Sequence, residues 1–318
     1  MNVVKFRNYI MAPIAVLFFF SLVSLVTWLA GENFLTIINY IYIGIFASLG
    51  MVLYAKLPKR KKNRGRKISM YAIGGLLFLV MGVLGRIDGQ IEGFFFYILA
   101  GITAGTVSHY LVAKIIGPVF LNRGWCGWGC WTIMILDVFP YKRSDGRLPE
   151  KFGWIRYLHF AMSFGLVLLL WFGFDYGISN QKWDIAGMYW FLGGNIVYYG
   201  IGIGLVLLLK DNRAFCKYVC PVSVIIKSSS VFSLLRIKGK SSLCDHCNAC
   251  TATCPMNIRI PDYIVAGQRV VSTECVMCLT CINTCPTGAL EASFGFDLGG
   301  KELLQPKSTL PVSIKNSI

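Results

Sequence analysis

Acidic residues are scarce in this chain. It holds 15 Asp and Glu against 31 Lys and Arg over 318 residues, a formal net charge of +16. That excess would suit nucleic acid, but the cations gather in loops beside apolar stretches, the pattern of membrane topology signals. Nucleic acid is therefore excluded as a partner and the lipid bilayer is expected. Charged residues of either sign make up only 14% of the chain and hydrophobic residues 55%, a balance that excludes a soluble domain of this length. There is no Gly-rich phosphate loop, no Rossmann fingerprint in a strand–helix setting and no catalytic triad signature. Their absence argues against a nicotinamide or flavin site, and no residue is assigned a catalytic role. No small-residue cleavage site precedes Glu32, so the first apolar run is read as a retained span rather than a signal peptide. Beyond one doubled cysteine motif, no repeat of about 20–50 residues is present.

Cysteine, by contrast, is abundant and ordered. Two runs share one spacing: Cys244-x2-Cys247-x2-Cys250-x3-Cys254-Pro255 and Cys275-x2-Cys278-x2-Cys281-x3-Cys285-Pro286. Each is the bacterial ferredoxin spacing for a [4Fe–4S] cluster, in which three close thiolates are joined by the fourth from the other run. That rule assigns Cys244, Cys247, Cys250 and Cys285 to one cluster, and Cys275, Cys278, Cys281 and Cys254 to the second. Residues 244–290 are expected to form an α+β 2[4Fe–4S] module of short helices and hairpin strands. With eight of twelve cysteines committed in this way, the reducing cytosol is the expected side.

The remainder reads as a polytopic all-α membrane domain, residues 1–210, with six spans at about 9–30, 34–56, 68–86, 93–119, 155–175 and 188–209. The loop after the second span carries Lys56, Lys59, Arg60, Lys61, Lys62, Arg64, Arg66 and Lys67. The turns around Glu32, around Asp88 and Glu92, and around Asp175 and Asp184 carry almost no excess cation. The positive-inside rule then puts the basic loop, both termini and the clusters in the cytoplasm of a cell-membrane protein. A second cytoplasmic loop, 120–154, holds Lys142, Arg143, Arg147 and Lys151. A linker, 211–243, mixes Ile225, Ile226, Phe232, Leu234 and Leu235 with Lys227, Arg236, Lys238 and Lys240, an amphipathic pattern suited to the membrane surface. The tail, 291–318, with Pro306 and Pro311, is expected to lack a fold of its own from about residue 300.

Four cysteines remain. Cys126-x3-Cys130 lies within Arg123-Gly-Trp-Cys-Gly-Trp-Gly-Cys-Trp131, and Cys216-x3-Cys220 within Phe215-Cys-Lys-Tyr-Val-Cys-Pro221. Each pair follows an even-numbered span, so both are expected at the cytoplasmic membrane face. Three readings stand: packed reduced thiols, a redox-active dithiol, or four thiolates on one additional metal or iron–sulfur centre.

A polytopic core with two Cys-x3-Cys motifs after helix ends, followed by two ferredoxin motifs, resembles a family of membrane iron–sulfur proteins. It includes the ferredoxin-type membrane subunit of periplasmic nitrate reductase systems, called a quinol dehydrogenase. The membrane half of the nitrous oxide reductase regulatory flavoprotein and a cytochrome oxidase accessory protein implicated in copper handling are similar. The resemblance covers residues from about 100 to 290. Pro221 keeps the pattern of the second Cys-x3-Cys motif, whereas Trp131 stands where the first usually has Pro. With no flavin domain before the spans and no immunoglobulin-like domain after the clusters, the architecture is nearest the nitrate-type subunit.

The resemblance implies electron transfer between a membrane donor, quinol above all, and a redox partner within a larger assembly. The alternative is a maturation factor using the Cys-x3-Cys thiolates, which suit Cu(I). Histidine is nearly absent, with only His109, His159 and His246. A haem between His109 and His159 is disfavoured, because they are expected at different depths. Each is instead a satisfied membrane histidine or a quinone contact, and His246 a neighbour of a cluster. Trp125, Trp128, Trp131, Trp154, Trp183 and Trp190 are expected to anchor at the interfaces.

Overall fold

Residues 3–31, 34–103, 105–141, 145–176 and 183–307 are described in the computed structural model of the chain. Glu32, Lys142, Arg143 and Pro311 therefore lie outside the described residues, as do the side chains of Arg60, Trp183 and Asp184. The chain opens with α1 (Val3–Leu29) and α2 (Phe34–Lys56), an antiparallel pair. After the basic loop comes α3 (Lys62–Leu84). Small residues let α2 and α3 touch, as is usual where apolar helices pack without a hydrophobic driving force. A Cβ on Gly65 would stand 2.5 Å from the Tyr54 backbone nitrogen, and one on Gly50 2.5 Å from Ser69 Cβ. Gly65→Ala is thus expected to force the helices apart at a cost of about 1–3 kcal/mol. A lower melting temperature of the cluster-loaded protein in detergent checks this, and an unchanged one would contradict the close approach.

The fourth expected span, 93–119, is not one helix. It divides into α4 (Ile91–Leu99) and α5 (Thr106–Leu121). At 1.5 Å per residue these reach only about 14 and 24 Å, each short of the roughly 30 Å hydrocarbon layer. The break lies where Gly101 and Gly105 adopt φ of +70° and +60°, which glycine does without a Cβ penalty. The chain doubles back there, so that Thr106 Oγ1 donates to the Asp88 carbonyl at 2.6 Å. Asp88 is consequently buried rather than placed in an open outer turn, and Ser163 Oγ donates to Glu92 Oε1 at 2.6 Å.

Two short helices follow, α6 (Gly124–Trp128) and α7 (Trp131–Leu136), then the long α8 (Ile155–Gly173) and α9 (Trp183–Leu209). Among the described residues, five helices are long and apolar enough to cross a bilayer: α1, α2, α3, α8 and α9. The chain is a multi-pass membrane protein.

The first part of the linker is internal rather than spread on a surface. In α10 (Ala214–Tyr218) every residue is buried, and α11 (Val222–Ser230) packs on α5 and α8. Strand β1 (Leu235–Gly239) pairs antiparallel with β2 (Leu290–Phe294), in register from Leu235↔Phe294 to Gly239↔Leu290. The sheet of the cysteine-rich module therefore recruits residues upstream of the expected 244 boundary. Three short helices, α12 (Ala249–Ala252), α13 (Ile260–Val265) and α14 (Thr280–Thr284), complete it. The tail is docked as far as its description extends. Gln305 N donates to the Asn257 carbonyl (2.8 Å), while Arg147 N donates to Gln305 O (2.9 Å) and Lys307 N to Arg147 O (2.7 Å).

Candidate iron–sulfur centres

The two cysteine loops repeat one backbone path. His246 and Asn248 in the first, and Met277 and Leu279 in the second, have φ between 47° and 59°. These are the same two positions relative to the cysteines. A left-handed Met or Leu costs free energy and persists where the surroundings over-determine it, commonly at ligand clamps. Here the alternation curls each loop around the point its thiols share.

The thiols sort into two sets. Cys250 has Cys244 and Cys285 as its electrostatic thiol neighbours. Cys275 has Cys254 and Cys278, and Cys281 has Cys278, Cys275 and Cys254 ahead of Cys250. Cys254 and Cys285 thus each stand with the other run's loop. Cys254, Cys275, Cys278 and Cys281 together line one small pocket, beside Ile237, Ile258, Ile260, Val270, Val276 and other apolar groups. Four thiols lining one largely apolar pocket fit the ligand set of an iron–sulfur cubane. Among the described residues no three His, Cys, Asp or Glu side chains are close enough for a single metal ion.

The two sets differ in exposure. Cys247 is exposed and Cys244 half-buried at one end of the module. The 275–281 loop instead sits on the membrane half. Trp128 Nε1 donates to the Met277 carbonyl (2.9 Å) and Tyr54 Oη to the Leu279 carbonyl (2.9 Å). At Gly127 a Cβ would lie 2.3 Å from Val276 O, so only glycine admits this approach.

Directly beneath lie the other four cysteines. Cys126 is in α6 and Cys130 just before α7; Cys216 is in α10 and Cys220 just after it. Cys216 has Cys220, Cys126 and Cys130 as electrostatic neighbours, and Cys220 has Cys126 and Cys130. The two distant motifs are brought together. Burial pushes the Cys216 thiol well up and the Cys220 thiol up to about 12. Thiolates here would need cations, and these are at hand. Arg213 Nη1 donates to the Cys126 carbonyl at 2.8 Å, and Arg123 and Lys114 both feel Cys126 and Cys220.

Sequence reasoning missed the ionic seam that locks the module to the membrane half. Glu274, one residue before Cys275, is 2% exposed. Its carboxylate meets Arg123 (2.7 Å), Arg156 (3.0 Å), Lys227 (2.6 Å) and Arg147 (3.5 Å). Burial would raise its pKa, but these four cations hold it well below the usual carboxylate range. Lys217 likewise bonds Asp211 at 2.6 Å and reaches Asn257 of the module. No periodic signal marks a carboxylate whose partners are up to 151 residues away.

Asp137 forms a second seam with Arg66 (2.9 Å) and Arg213 (3.8 Å). Burial opposes its ionisation, yet the two guanidinium groups outweigh burial and hold it at about 2. An acid with a depressed folded pKa stabilises the fold above its unfolded value, about 3.9, and loses that contribution as pH falls through the folded one. The expected result is stability that is flat in this respect above about pH 4 and falls toward pH 2. Asp137→Asn should flatten that acid limb in denaturation curves taken across the range.

The tryptophans divide. Trp128 bonds Met277 O, and Trp131 Nε1 donates to Asn195 Oδ1 (3.1 Å), so both are internal rather than interfacial. Trp125 packs on His109, with ring centroids 4.9 Å apart. Trp154 is 55% exposed. His159 Nδ1 lies 2.9 Å from the Val219 carbonyl, beside the second Cys-x3-Cys turn, and His246 is exposed.

Comparison with known proteins agrees with this geometry. Residues 236–286 match the 4Fe-4S dicluster domain family. An uncharacterized protein of Methanocaldococcus jannaschii is 26% identical over 242 residues, covering 72% of this chain and 86% of that protein. The putative electron transport protein YccM of Escherichia coli is 27% identical over 96 residues, 30% of this chain and 26% of its own length. The ferredoxin-type protein NapH of Haemophilus influenzae is 26% identical over 195 residues, 57% of this chain and 65% of its own length. No solved structure matches. The chain is a membrane iron–sulfur protein of the electron-transfer type, similar to these ferredoxin-type proteins.

Proposed function

We propose that this chain carries electrons between membrane quinol and a redox partner protein, through two [4Fe–4S] clusters and a third centre at the membrane face. The observation that carries the reading is the pocket shared by Cys254, Cys275, Cys278 and Cys281, with Cys254 contributed across from the other motif. In this reading Cys244, Cys247, Cys250 and Cys285 hold the outer cluster, and the pocket set holds the inner one. Each cluster supplies one-electron chemistry at a potential set by charge, hydrogen bonds and exposure.

The chain's own residues line these sites up. Cys126, Cys130, Cys216 and Cys220 stand nearest the bilayer, the 275–281 loop is next, and exposed Cys247 is last. Arg123, Arg213 and Lys114 supply positive charge where reduction would add negative charge. The apolar wall of the inner pocket keeps water from the thiolates. The four membrane-face thiols gather as the ferredoxin thiols do, which supports a third centre among them. Six crossings, with α5 alone as the fourth after α4 has folded back, would leave the basic loop, both termini and all twelve cysteines in the cytoplasm.

Anaerobic addition of a short-chain quinol to the oxidised holoprotein in liposomes tests the reading by EPR. Cluster reduction is expected, slowed at least tenfold by Cys126→Ser or Cys216→Ser while the two ferredoxin signals still appear with dithionite. Clusters that neither quinol reduces nor quinone reoxidises would reject quinone-linked transfer.

A further inference from the structure

We propose that Phe232, Phe294, Phe296 and Leu298 form an apolar lip by which the cysteine-rich module rests in the lipid leaflet beside it. The proposal rests only on the multi-pass membrane character of the chain, not on quinol as the donor. Phe294, Phe296 and Leu298 are 65–70% exposed and Phe232 is 49% exposed. Single exposed apolar side chains are ordinary, but a contiguous group marks a surface that meets lipid or another protein. Backbone hydrogen bonds hold this group together. Gly295 N donates to the Leu234 carbonyl (3.0 Å) and Gly299 N to the Val231 carbonyl (2.7 Å).

The place of the lip selects lipid over protein. Just before Phe232, Val222 and Ile225 of α11 pack against the membrane-half core of Ile91, Phe94, Val107 and Tyr110. Just after it, Leu234 N donates to the Val119 carbonyl in the last turn of α5, at 2.8 Å. On that helix Ile116 and Phe120, one turn apart on the same face, are themselves exposed. The lip thus adjoins the end of an apolar helix and extends a surface that already meets hydrocarbon.

The backbone behind the lip is arranged for a water-poor setting, where polar groups must be satisfied internally. Buried Arg236 donates from Nη2 to the carbonyls of Val231 (2.8 Å) and Asp297 (3.3 Å). Arg269 Nη1 donates to the carbonyls of Leu234 and Ser293, both at 3.0 Å. Asp297, the only acid in residues 294–299, is paired with Arg269. The two arginines therefore draw the polar atoms inward and leave the apolar side chains outside. At the other end of β1, about 13 Å away at about 3.3 Å per residue, the surface differs. Leu243 there precedes Cys244, and exposed Cys247 follows. A lip seated in the leaflet would hold one end of the module and leave the outer cysteine set in water.

The test is photo-crosslinking of the full-length holoprotein in phosphatidylcholine liposomes, with a fraction of the lipid carrying a diazirine in its acyl chain and adducts mapped by peptide mass spectrometry. Phe172 of α8 and Ile196 of α9, both exposed, serve as lipid-facing references. Leu243 and Val265, exposed on the module but away from the lip, serve as the opposite control. Adducts are expected on Phe232 and within residues 294–298, and not on Leu243 or Val265. The double variant Phe232→Glu with Phe296→Glu changes two exposed side chains. It should lower the yield at Phe294 and Leu298 by about tenfold or more, because a carboxylate is costly in hydrocarbon. Iron content, cluster EPR and the adducts on α8 and α9 should not change. A lip left unlabelled while Phe172 and Ile196 react would overturn the proposal. Its protection from hydroxyl radicals only at high protein density would then assign the surface to a second copy of the chain. Equal labelling of Leu243 and Val265, or adducts indifferent to the double variant, would overturn it as well.

Discussion

Glu274→Gln is expected to destabilise the cluster-loaded protein by about 3–5 kcal/mol, the usual cost of removing one partner from a buried ion pair. The carboxylate neutralises a site that Arg123, Arg147, Arg156 and Lys227 enter from four different segments. Without its charge, three guanidinium groups and an ammonium face one another in a dry interface. An amide of the same shape keeps the packing and removes only the charge, so the effect isolates the electrostatics. Denaturant unfolding in detergent reads the loss. The module should also become separable from the membrane half, seen as faster proteolysis near residues 231–234. A variant as stable as wild type would mean that the seam is incidental.

Cys254→Ser is expected to behave like Cys278→Ser and unlike Cys247→Ser. The three are chosen because Cys254 belongs to the first motif by sequence and to the second by geometry. In the crossed arrangement both Cys254→Ser and Cys278→Ser damage the inner cluster. The EPR signal of the outer cluster remains, and about four of the eight ferredoxin irons are retained or a three-iron species appears. Cys247→Ser damages the outer cluster instead. The inner site is the drier of the two, so its signal should respond less to solvent-borne relaxants. If Cys254→Ser matched Cys247→Ser, the ligand sets would be uncrossed and the shared pocket would have been misread.

The course of the chain is uneven in how plainly its sequence declares it. Apolar length alone marked α1, α2, α3, α8 and α9, because crossing hydrocarbon leaves a one-dimensional signature. The division of 93–119 left almost none. Gly101 and Gly105 are ordinary residues in a membrane helix, and only the meeting of Thr106 with the Asp88 carbonyl turns them into a fold-back. The same contact explains why Asp88, which read as part of an outer turn, is buried. The ferredoxin spacing was legible because a cubane dictates it locally. That Arg236 and Ile237 belong to the same unit was not, since β1 finds its partner across more than 50 residues. The gathering of Cys126 and Cys130 with Cys216 and Cys220 could be inferred from matched helix exits. The choice among packed thiols, a dithiol and a cluster rests on the charge around them, which Arg123 and Arg213 supply from positions no motif singles out. Trp128 and Trp131 misled for a related reason. A tryptophan beside an apolar run suits an interface, but here the chain turns inward at Gly127 and Gly129 and takes both indoles with it.

The most direct measurement is iron and acid-labile sulfide per chain on anaerobically purified protein, with EPR of the dithionite-reduced state. The account predicts at least about eight of each, rising toward about twelve if the third centre is itself a cubane. The excess over eight should disappear in Cys126→Ser and Cys216→Ser. About four of each, with a single reduced signal that survives Cys254→Ser, would contradict a two-cluster wire and with it the central claim.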